Sequence, residues 1–411
     1  MNGENLRGIG FLRNKLALKQ GRIRTRYRYY EMKFSVRDFG ISTPPELACL
    51  NSTLGWCGKA VDSLADRMTF REFRNDTFGM NEIYRQNNPD ILFDSAILGA
   101  LISSCSFIYI SAGANGDPRM QVIDGGHATG IIDPITNLLT EGYAVLETKD
   151  GRAVTEAYFI PGETQILRRG KTPESFKSSV PYPLLAPIIF RPDAVRPFGH
   201  SRISRACMSL VDSAIRTVKR GEISAEFYSF PQKYITGLSP DAETMDTWKA
   251  AMSSMLTFTK DEGGDRPTVG QFSQQSMQPH IEQLRMFASL FGGEVGLTLD
   301  DLGFPSANPS SAEAIRSTHE SLRLTARKAQ RTFGSGFLNA GYLAACLRDS
   351  YPYRRTILGE TQPVWEPIFE PDAAMLSLIG DGAVKINQAI PGFFNADGLR
   401  DLTGIRGGQN D

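Results

Sequence analysis

Histidine and cysteine are scarce in this 411-residue sequence, which contains four histidines and five cysteines. The histidines stand in isolated contexts, so a histidine-based metal site or a catalytic triad is not expected. The cysteines are odd in number and widely scattered, and no two of them have metal-ligand spacing. They are Cys49, Cys57, Cys105, Cys207 and Cys346. We therefore expect reduced thiols in a cytosolic setting, and neither a disulfide framework nor a metal or other cofactor.

The sequence also has no excess of positive or negative charge. The 45 basic and 45 acidic side chains give a formal net charge of zero. A protein that grips nucleic acid through bulk charge is normally strongly basic, so any contact with nucleic acid must be local or weak. Hydrophobic residues at 41% and charged residues at 22% are ordinary for a soluble globular protein. The length is enough for roughly two or three domains.

Long hydrophobic runs are rare. The N-terminal segment MNGENLRGIGFLRNKLALKQ carries charges throughout and has no apolar stretch, so it does not have the pattern of a signal peptide. Ser95–Gly116 has no charge and must be weighed as a membrane span, but it contains five serines. Its period changes from helical to strand-like near Cys105. We expect a buried helix followed by a buried strand, and no membrane contact.

Short matches to enzymatic motifs fail at the residues that would carry the chemistry. Cys57–Ala60 resembles the end of a phosphate-binding P-loop, but Thr53 replaces the first glycine and Ala60 replaces the magnesium-binding hydroxyl. His319-Glu320 begins a zinc-protease motif in which the second histidine is replaced by Arg323. Neither match supports an enzyme.

The strongest enzymatic alternative is a metal-dependent nuclease. Glu147 and Lys149, with Asp133 upstream, loosely imitate the acidic cluster with a lysine that positions a divalent ion and a water. Asp150-Gly151 follows directly, and this pair favours a tight hairpin turn. The hairpin would leave Glu147 and Lys149 at an exposed tip, where a solvated charge pair is the favoured interpretation. We predict no enzymatic activity.

The first half of the chain has the pattern of a mixed α/β body. Residues 1–35 are basic and aromatic, and we interpret them as an arm or a first helix. Apolar residues recur near helical spacing over residues 50–68. Residues 117–195 are mainly β, and GYAVLETKDGRAVTEAYFI is predicted to form a hairpin. Proline-rich loops close this region near residue 200.

Helical spacing dominates the second half. A long proline-free helix is predicted from Arg202 to Tyr228. Residues 233–273 follow as a compact insert that contains a strand, a helix and a second strand. A second helix is predicted over about 279–292, and a third from about Ser311 to the Gly334–Gly336 pair. The predicted fold class is α+β.

The segment DDLGFPSANPSSAEAIRS, Asp300 to Ser317, connects the second and third of these helices. Its two prolines and its small residues make a restricted loop. Nothing in it can act as a nucleophile with a neighbouring base or as a metal cage. From the residues alone, a plain surface loop is as good an interpretation as a functional one.

The segment Phe198–Asp349 resembles the portal proteins of tailed double-stranded DNA bacteriophages, of the siphovirus type. LGFPSANPSSAEAI, Leu302–Ile315, is the most specific match. NSTLGWCGKAVDSLADRM is similar to a helix of the family's wing, and LFDSAILGALISSCSFIYI is similar to a helix and strand of its body. The resemblance therefore extends over nearly the whole chain, and the order of the elements is more specific than any one motif.

The resemblance implies a portal fold with a wing, a helical stem, a small α/β clip and a tunnel loop. Few residues follow the third helix, so the helical crown is expected to be short or absent. The implied segments are the wing at 1–199, stem helices at 200–228 and 276–294, the clip at 229–275, the tunnel loop at 295–310, and the long wing helix with the C-terminal wing or short crown at 311–411.

Three groups of residues are candidates for function. The tunnel loop would contact DNA without holding it, because it offers surface but no cation: Phe304, Pro305, Ser306, Ala307, Asn308 and Pro309. The core of the clip would be Trp248, Met252 and Met255. A basic stripe on the third helix, interpreted first as subunit-to-subunit salt bridges, then as a solvated face and last as a DNA contact, comprises Arg316, Arg323, Arg327 and Arg331.

The function implied by the resemblance is a ring-shaped DNA conduit at one capsid vertex, which serves genome packaging, head–tail connection and DNA ejection. The implied ring is a dodecamer of this chain. Further implied partners are double-stranded DNA, the large terminase subunit, a head-completion or adaptor protein, and the major capsid and scaffolding proteins. The implied location is the virion, and the host cytoplasm during assembly. A metal-dependent nuclease and a non-portal ring or adaptor component of the virion are the alternatives.

Overall fold

The computed structural model describes residues 7–37, 47, 49–113, 115–229, 233–236, 268–271, 276–305, 319–369 and 373–403. Helices and strands are mixed along the chain, and all paired strands run antiparallel. This architecture confirms the predicted α+β class.

The first half alternates helices with strands and then becomes almost entirely β. Its helices are α1 (Gly8–Tyr30), α2 (Trp56–Ala65), α3 (Met80–Arg85) and α4 (Pro89–Ser103). Its strands are β1 (Phe70–Arg74), β2 (Cys105–Ala112), β3 (Pro118–Asp124), β4 (Ala128–Ile132), β5 (Leu139–Lys149), β6 (Arg152–Ile160), β7 (Glu163–Arg168), β8 (Glu174–Lys177) and β9 (Leu185–Ile189).

The second half is mainly helical. Its helices are α5 (Arg205–Ser229), α6 (Gln278–Val295), α7 (Glu320–Arg348), α8 (Ala373–Ala389) and α9 (Ala396–Thr403). Short 3₁₀ turns occupy Asp300–Leu302 and Arg355–Glu360. Its strands are β10 (Lys233–Thr236), β11 (Thr268–Gln271) and β12 (Gln362–Trp365).

The strands of the described residues form four separate sheets. One has the order β3-β2-β9 and another the order β4-β5-β6-β7-β8, while β1 pairs with β12 and β10 pairs with β11. The predicted hairpin is present as β5 and β6, and both residues of its turn have positive φ, 52° at Asp150 and 72° at Gly151. A turn with two positive φ angles matches the twist of the flanking strands, which is why this sequence closes so tightly.

The uncharged stretch Ser95–Gly116 runs from α4 into β2, as predicted. Its buried serines donate hydrogen bonds within the fold: Ser103 Oγ to the carbonyl of Gly99 at 2.6 Å, and Ser106 Oγ to the carbonyl of Ala96 at 2.6 Å. These bonds offset the cost of burying hydroxyl groups. Among the helices of the described residues, none is long and apolar enough to cross a membrane.

Helix α7 crosses the sheet of β2 and β9, and it does not end at the predicted Gly334–Gly336 pair. It continues to Arg348, so the prediction of its end was wrong. A Cβ at Gly336 would lie 2.8 Å from Cδ1 of Ile188, and one at Gly334 would lie 2.7 Å from Cγ of Pro363. The glycines let the helix approach its neighbours closely, which outweighs a helix-propensity cost of about 1 kcal/mol each.

The basic N-terminal segment is a helix attached to the five-stranded sheet. Glu141 of β5 is fully buried, and its carboxylate accepts hydrogen bonds from the backbone N–H groups of Arg7 at 2.6 Å and Gly8 at 2.7 Å. The hydroxyl of Tyr158 donates a third bond at 2.9 Å. A carboxylate at a helix N-terminus satisfies unpaired N–H groups and interacts favourably with the helix dipole. Glu141 therefore fixes the start of α1.

Two lysines of α1 also point onto the sheet. Lys15 Nζ donates to the carbonyl of Gly130 at 2.6 Å, and Lys19 Nζ donates to Thr129 Oγ1 at 3.1 Å. Both ammonium groups lie over the ring of Phe198, at 4.8 and 4.2 Å from its centroid. Burial, and after it the charges of neighbouring cations, lower the pKa of Lys15 to about 8.

This lowered pKa predicts a pH dependence of stability. The folded chain releases the Lys15 proton at a lower pH than the unfolded chain, so the free energy of unfolding rises from about pH 8 towards the ordinary lysine pKa. Lys15→Met removes this contribution. The stability of the variant relative to the wild type should therefore fall by roughly 1–2 kcal/mol between pH 7 and pH 10. Denaturant unfolding at both pH values measures it, and a constant difference would contradict the burial argument.

Candidate functional site

Helices α5 and α6 form an antiparallel pair. Ser204 Oγ, just before α5, donates to Glu294 Oε1 near the end of α6 at 2.9 Å. Ser224 Oγ and His280 Nε2 are 3.4 Å apart at the opposite end of the pair. Between them, the buried Thr217 hydroxyl donates to an amide oxygen of α6 at 3.0 Å. With 25 residues, α5 spans about 37 Å at ~1.5 Å per residue.

The pair begins later and ends later than the sequence predicts. Helix α5 starts at Arg205 rather than Arg202, because Ser204 Oγ accepts the backbone N–H of Cys207 at 3.1 Å and caps the first turn. Helix α6 ends at Val295, where Gly296 adopts a φ of 69°. A Cβ at Gly296 would lie 2.8 Å from Ser321 Oγ, so this glycine allows both the left-handed turn and the close approach of α7.

Arg202 fixes the base of this pair to the rest of the fold. The residue is 7% exposed, and its guanidinium donates from Nη2 to the carbonyl of Val295 and from Nε to the carbonyl of Ala60 at 3.2 Å. Its backbone N–H donates to the carbonyl of Leu101 at 2.8 Å. Burial lowers the pKa of Arg202 to about 10, so the side chain is still cationic at neutral pH. A cation at the C-terminus of α6 also interacts favourably with the helix dipole.

Sequence reasoning missed the role of Arg202. Its position directly before a helix carries no signal, because the three carbonyls that it and its backbone contact lie in α2, α4 and α6. The only hint in the sequence that Arg202 is buried and paired comes from the residues next to it. Arg202 directly precedes the buried Ile203 at the start of an apolar helical stripe, and a charged residue that is buried in such a place is normally paired.

The far end of the pair leads into the predicted insert. The two predicted strands are present as β10 and β11, with Tyr234 opposite Gly270. A Cβ at Gly270 would overlap the ring of Tyr234, so glycine is required there. The proposed core of this insert lies outside the described residues: Trp248, Met252 and Met255. Its packing stays a prediction.

The proposed tunnel loop is described only at its entry. Asp301 Oδ2 accepts the backbone N–H of Thr298 at 2.9 Å and its hydroxyl at 2.8 Å, which closes a tight turn. Phe304 is half-buried against the main core and its N–H donates to the carbonyl of Leu299 at 3.0 Å, while Pro305 is exposed. The remaining four predicted residues lie outside the described residues: Ser306, Ala307, Asn308 and Pro309. The described residues at the start of this segment are therefore held in place by hydrogen bonds and core contacts.

The basic stripe on α7 is described in part. Arg323 forms a two-pronged ion pair with Glu320 of its own helix, with Nε–Oε2 at 2.7 Å and Nη2–Oε1 at 2.6 Å. Arg327 and Arg331 are exposed, and Arg316 lies outside the described residues. Within this chain, Arg323 is paired with a residue one helical turn away. The salt bridges between subunits that we expect of the stripe stay a prediction.

Helix α6 has two apolar faces, one towards the core and one on its outer side. Phe287 and Phe291 pack in the core, whereas Ile281 is 52% exposed. Met286 and Leu290, four residues apart, are 49% and 54% exposed on the outer side. Exposed apolar side chains in a row along a helix are typical of a contact surface.

The residues of the nuclease alternative have local partners. Glu147 Oε2 accepts the Thr155 hydroxyl at 2.9 Å. Asp133 accepts the Thr136 hydroxyl at 2.6 Å and the N–H of Ile135 at 3.1 Å, and the hydroxyl bond holds the pKa of Asp133 below its usual value. In the part of the chain that the structure describes, no group of three or more histidine, cysteine or acidic residues could hold a metal ion.

Comparison with known proteins gives two informative matches. No family model matches the chain. The portal protein of Mycobacterium phage L5 is 28% identical over 342 residues, which cover 77% of this chain and 69% of that protein. The portal protein of Mycobacterium phage D29 is 26% identical over 390 residues, which cover 89% of this chain and 78% of that protein.

Solved structures give more remote likenesses. A chain from the virion of a native gene transfer agent particle covers 93% of this chain with a TM-score of 0.45 and 16% identity. A chain from the neck of that particle, computed with C12 symmetry, covers 92% with a TM-score of 0.45 and 15% identity. Likenesses this remote carry no argument. The two sequence matches, which span more than two thirds of both chains, confirm the resemblance to phage portal proteins that was drawn from the sequence.

Proposed function

We propose that twelve copies of this chain form a closed ring at one capsid vertex, and that double-stranded DNA passes through the ring during packaging and ejection. The similarity to two portal proteins along most of the chain supports this function. In the ring, α5 and α6 would be the stem, the segment that includes β10 and β11 the clip, and residues 295–310 the tunnel loop. The wing would consist of residues 1–199 and the segment from 311 onward.

The observation that supports ring formation is the α5–α6 helix pair, which is held at its base and has an uncovered apolar face. Arg202 holds the base of the pair, while Met286 and Leu290 stand half-exposed on the outer side of α6. In a ring every subunit presents one patch to the next subunit and a different patch to the previous one. A fixed helix pair repeats this geometry identically, which a closed ring requires.

The conduit itself needs no chemistry. A channel must contact DNA without holding it, because every strong grip becomes a barrier to movement, and a cation repeated around a ring becomes a circle of positive charge. The predicted loop sequence Phe304–Pro309 contains no cation. We assign no catalytic step to this chain. The force for packaging would come from the terminase, and the clip would meet the terminase large subunit or a head-completion protein.

The contact face of α6 gives a direct test of ring assembly. Met286→Asp combined with Leu290→Asp should abolish ring formation, because two charges per subunit would be buried without partners. The folded subunit should lose only about 1–2 kcal/mol of stability, since aspartate has a lower helix propensity and both apolar side chains are only half-buried. Mass photometry measures the assembly, and thermal unfolding measures the stability of the subunit.

The matched control is Ile135→Asp, at a side chain that is 90% exposed on a loop between β4 and β5. This variant should form rings as the wild type does. Rings that persist in the α6 double variant would place the subunit contact elsewhere.

A further inference from the structure

Helix α1 carries a row of cations along one flank. Lys15, Lys19, Arg22 and Arg26 recur at intervals of four, three and four residues, so they lie one above another. The row is about 16 Å long at ~1.5 Å per residue. The loop after β9 lies against it, since the ring of Phe198 packs under Lys15 and Lys19. We call these four residues the α1 cationic row.

No carboxylate neutralises this row within the described residues. Helix α1 contains no acidic residue, and the ion pairs among the described residues involve no member of the row. The pKa values of Lys19 and Arg26 are lowered, first by burial, and the charge of Arg22 lowers both. The charge of Arg196 also lowers the pKa of Arg26, which places that loop arginine beside the row. The surface therefore has a strong local positive potential, although the whole chain is neutral.

Most of the row is held in place. Lys15 and Lys19 are bonded to β4, and Arg26 Nη1 donates to the carbonyl of Ser103 at 2.9 Å. Arg22 and Arg196 are exposed. The held cations set the potential. Arg22 can reach an anion that approaches from solvent, and Arg196 can do so by leaving its contact with His200 Nδ1, which lies 3.4 Å from its Nη1.

We propose that the α1 cationic row, together with Arg196, binds the sugar-phosphate backbone of DNA outside the channel and independently of sequence. Arginine presents a planar fork of donors that matches phosphate oxygens. Phosphates of one strand follow one another at about 3.4 Å along the helix axis, so the row spans several of them. This inference goes beyond the proposed conduit, whose channel lining is expected not to hold DNA.

An acidic protein segment is the other polyanion that the row would attract. Such a segment normally adds an apolar anchor in a pocket. Phe198 is the aromatic side chain within the row, and Lys15 and Lys19 already cover it. The observations therefore favour a backbone of phosphates.

The test uses full-length protein and covalently closed circular plasmid. A closed circle cannot be threaded through a closed ring, so the channel cannot contribute to the binding. The site variant is Arg22→Glu with Arg196→Glu. The control is Arg169→Glu with Lys171→Glu, at exposed positions between β7 and β8, which changes the net charge by the same amount.

We expect the site variant to bind plasmid at least about tenfold more weakly than the wild type at about 50 mM salt. The slope of log K against log salt should fall by about 2, since each lost phosphate contact removes ~0.9. The control should stay within about twofold of the wild type. Ring formation by the site variant should be unchanged in electron micrographs.

Three results would overturn the proposal. Equal losses in both variants would mean that bulk charge alone acts. Loss of rings in the site variant would make the row a subunit contact. A wild-type protein that binds polyglutamate but no plasmid would assign the row to an acidic protein. The proposed function is tested separately, because rings that bind no plasmid refute only this site, whereas monomers that bind plasmid refute only the ring.

Discussion

Arg202→Met should lower the free energy of unfolding by about 2–4 kcal/mol and should impair ring assembly. The guanidinium supplies donors to the buried carbonyls of Val295 and Ala60. Each buried carbonyl left without a donor costs about 1–3 kcal/mol, and the relief of the buried charge offsets part of the loss. Methionine fills much of the same volume, so no large cavity adds to the effect. Without the bond to Val295, α6 loses its fixed orientation relative to α2.

The measurement is denaturant unfolding together with ring counts in electron micrographs. Arg205→Met is the matched control, because Arg205 is exposed at the first turn of the same helix. Arg202→Lys keeps the charge with a single nitrogen that cannot reach both carbonyls in the same geometry, so it should fall between the wild type and Arg202→Met. If Arg202→Met and Arg205→Met unfold alike, Arg202 does not fix the base of the stem.

Ser306→Lys should stall DNA during packaging or ejection, while Ser306→Ala should be nearly silent. The expectation rests on the proposal that residues 295–310 line the channel. One lysine per subunit would place a circle of cations against the DNA, and each phosphate contact would add a salt slope of about 0.9. Rings should still assemble if the loop faces the lumen. Raising the salt concentration should partly relieve the stall, because the added contacts are screened.

Packaged DNA per head, measured for both variants across a salt series, tests this expectation. Ser306→Ala is the control for simple loss of the serine hydroxyl, which water can replace. Equal packaging by the lysine and alanine variants at every salt concentration would show that position 306 does not face DNA. The tunnel-loop proposal would then lose its main physical support.

Local chemistry made much of the fold predictable from the sequence. Asp150-Gly151 fixed the β5–β6 hairpin, because few residues adopt the two positive φ angles of its turn. The change of period near Cys105 marked the junction of α4 and β2. The apolar stripe of α5 begins with Cys207, Val211 and Ala214, and all three are buried. In each case a short segment contains all the information that decides its structure.

Long-range contacts decided what the sequence could not show. Gly336 looks like a helix end until Ile188 is known to lie against it. Glu141 looks like a strand residue on a polar face until its carboxylate is seen to cap α1. Met286 and Leu290 look like core residues, because a single sequence does not say which of the two apolar faces of a helix is buried within its own chain. The order of helices and strands in the candidate site was therefore predictable from the sequence. The long-range contacts that hold these elements in place were not.

Electron microscopy of the purified protein is the most direct test of ring formation. We expect closed rings of twelve subunits with a continuous central channel, in which the α5–α6 pairs surround the axis. The same rings should occupy one vertex of the assembled capsid. A protein that stays monomeric at high concentration and physiological salt, with no ring in heads or virions, would contradict this expectation. A ring without a through-channel would contradict it as well.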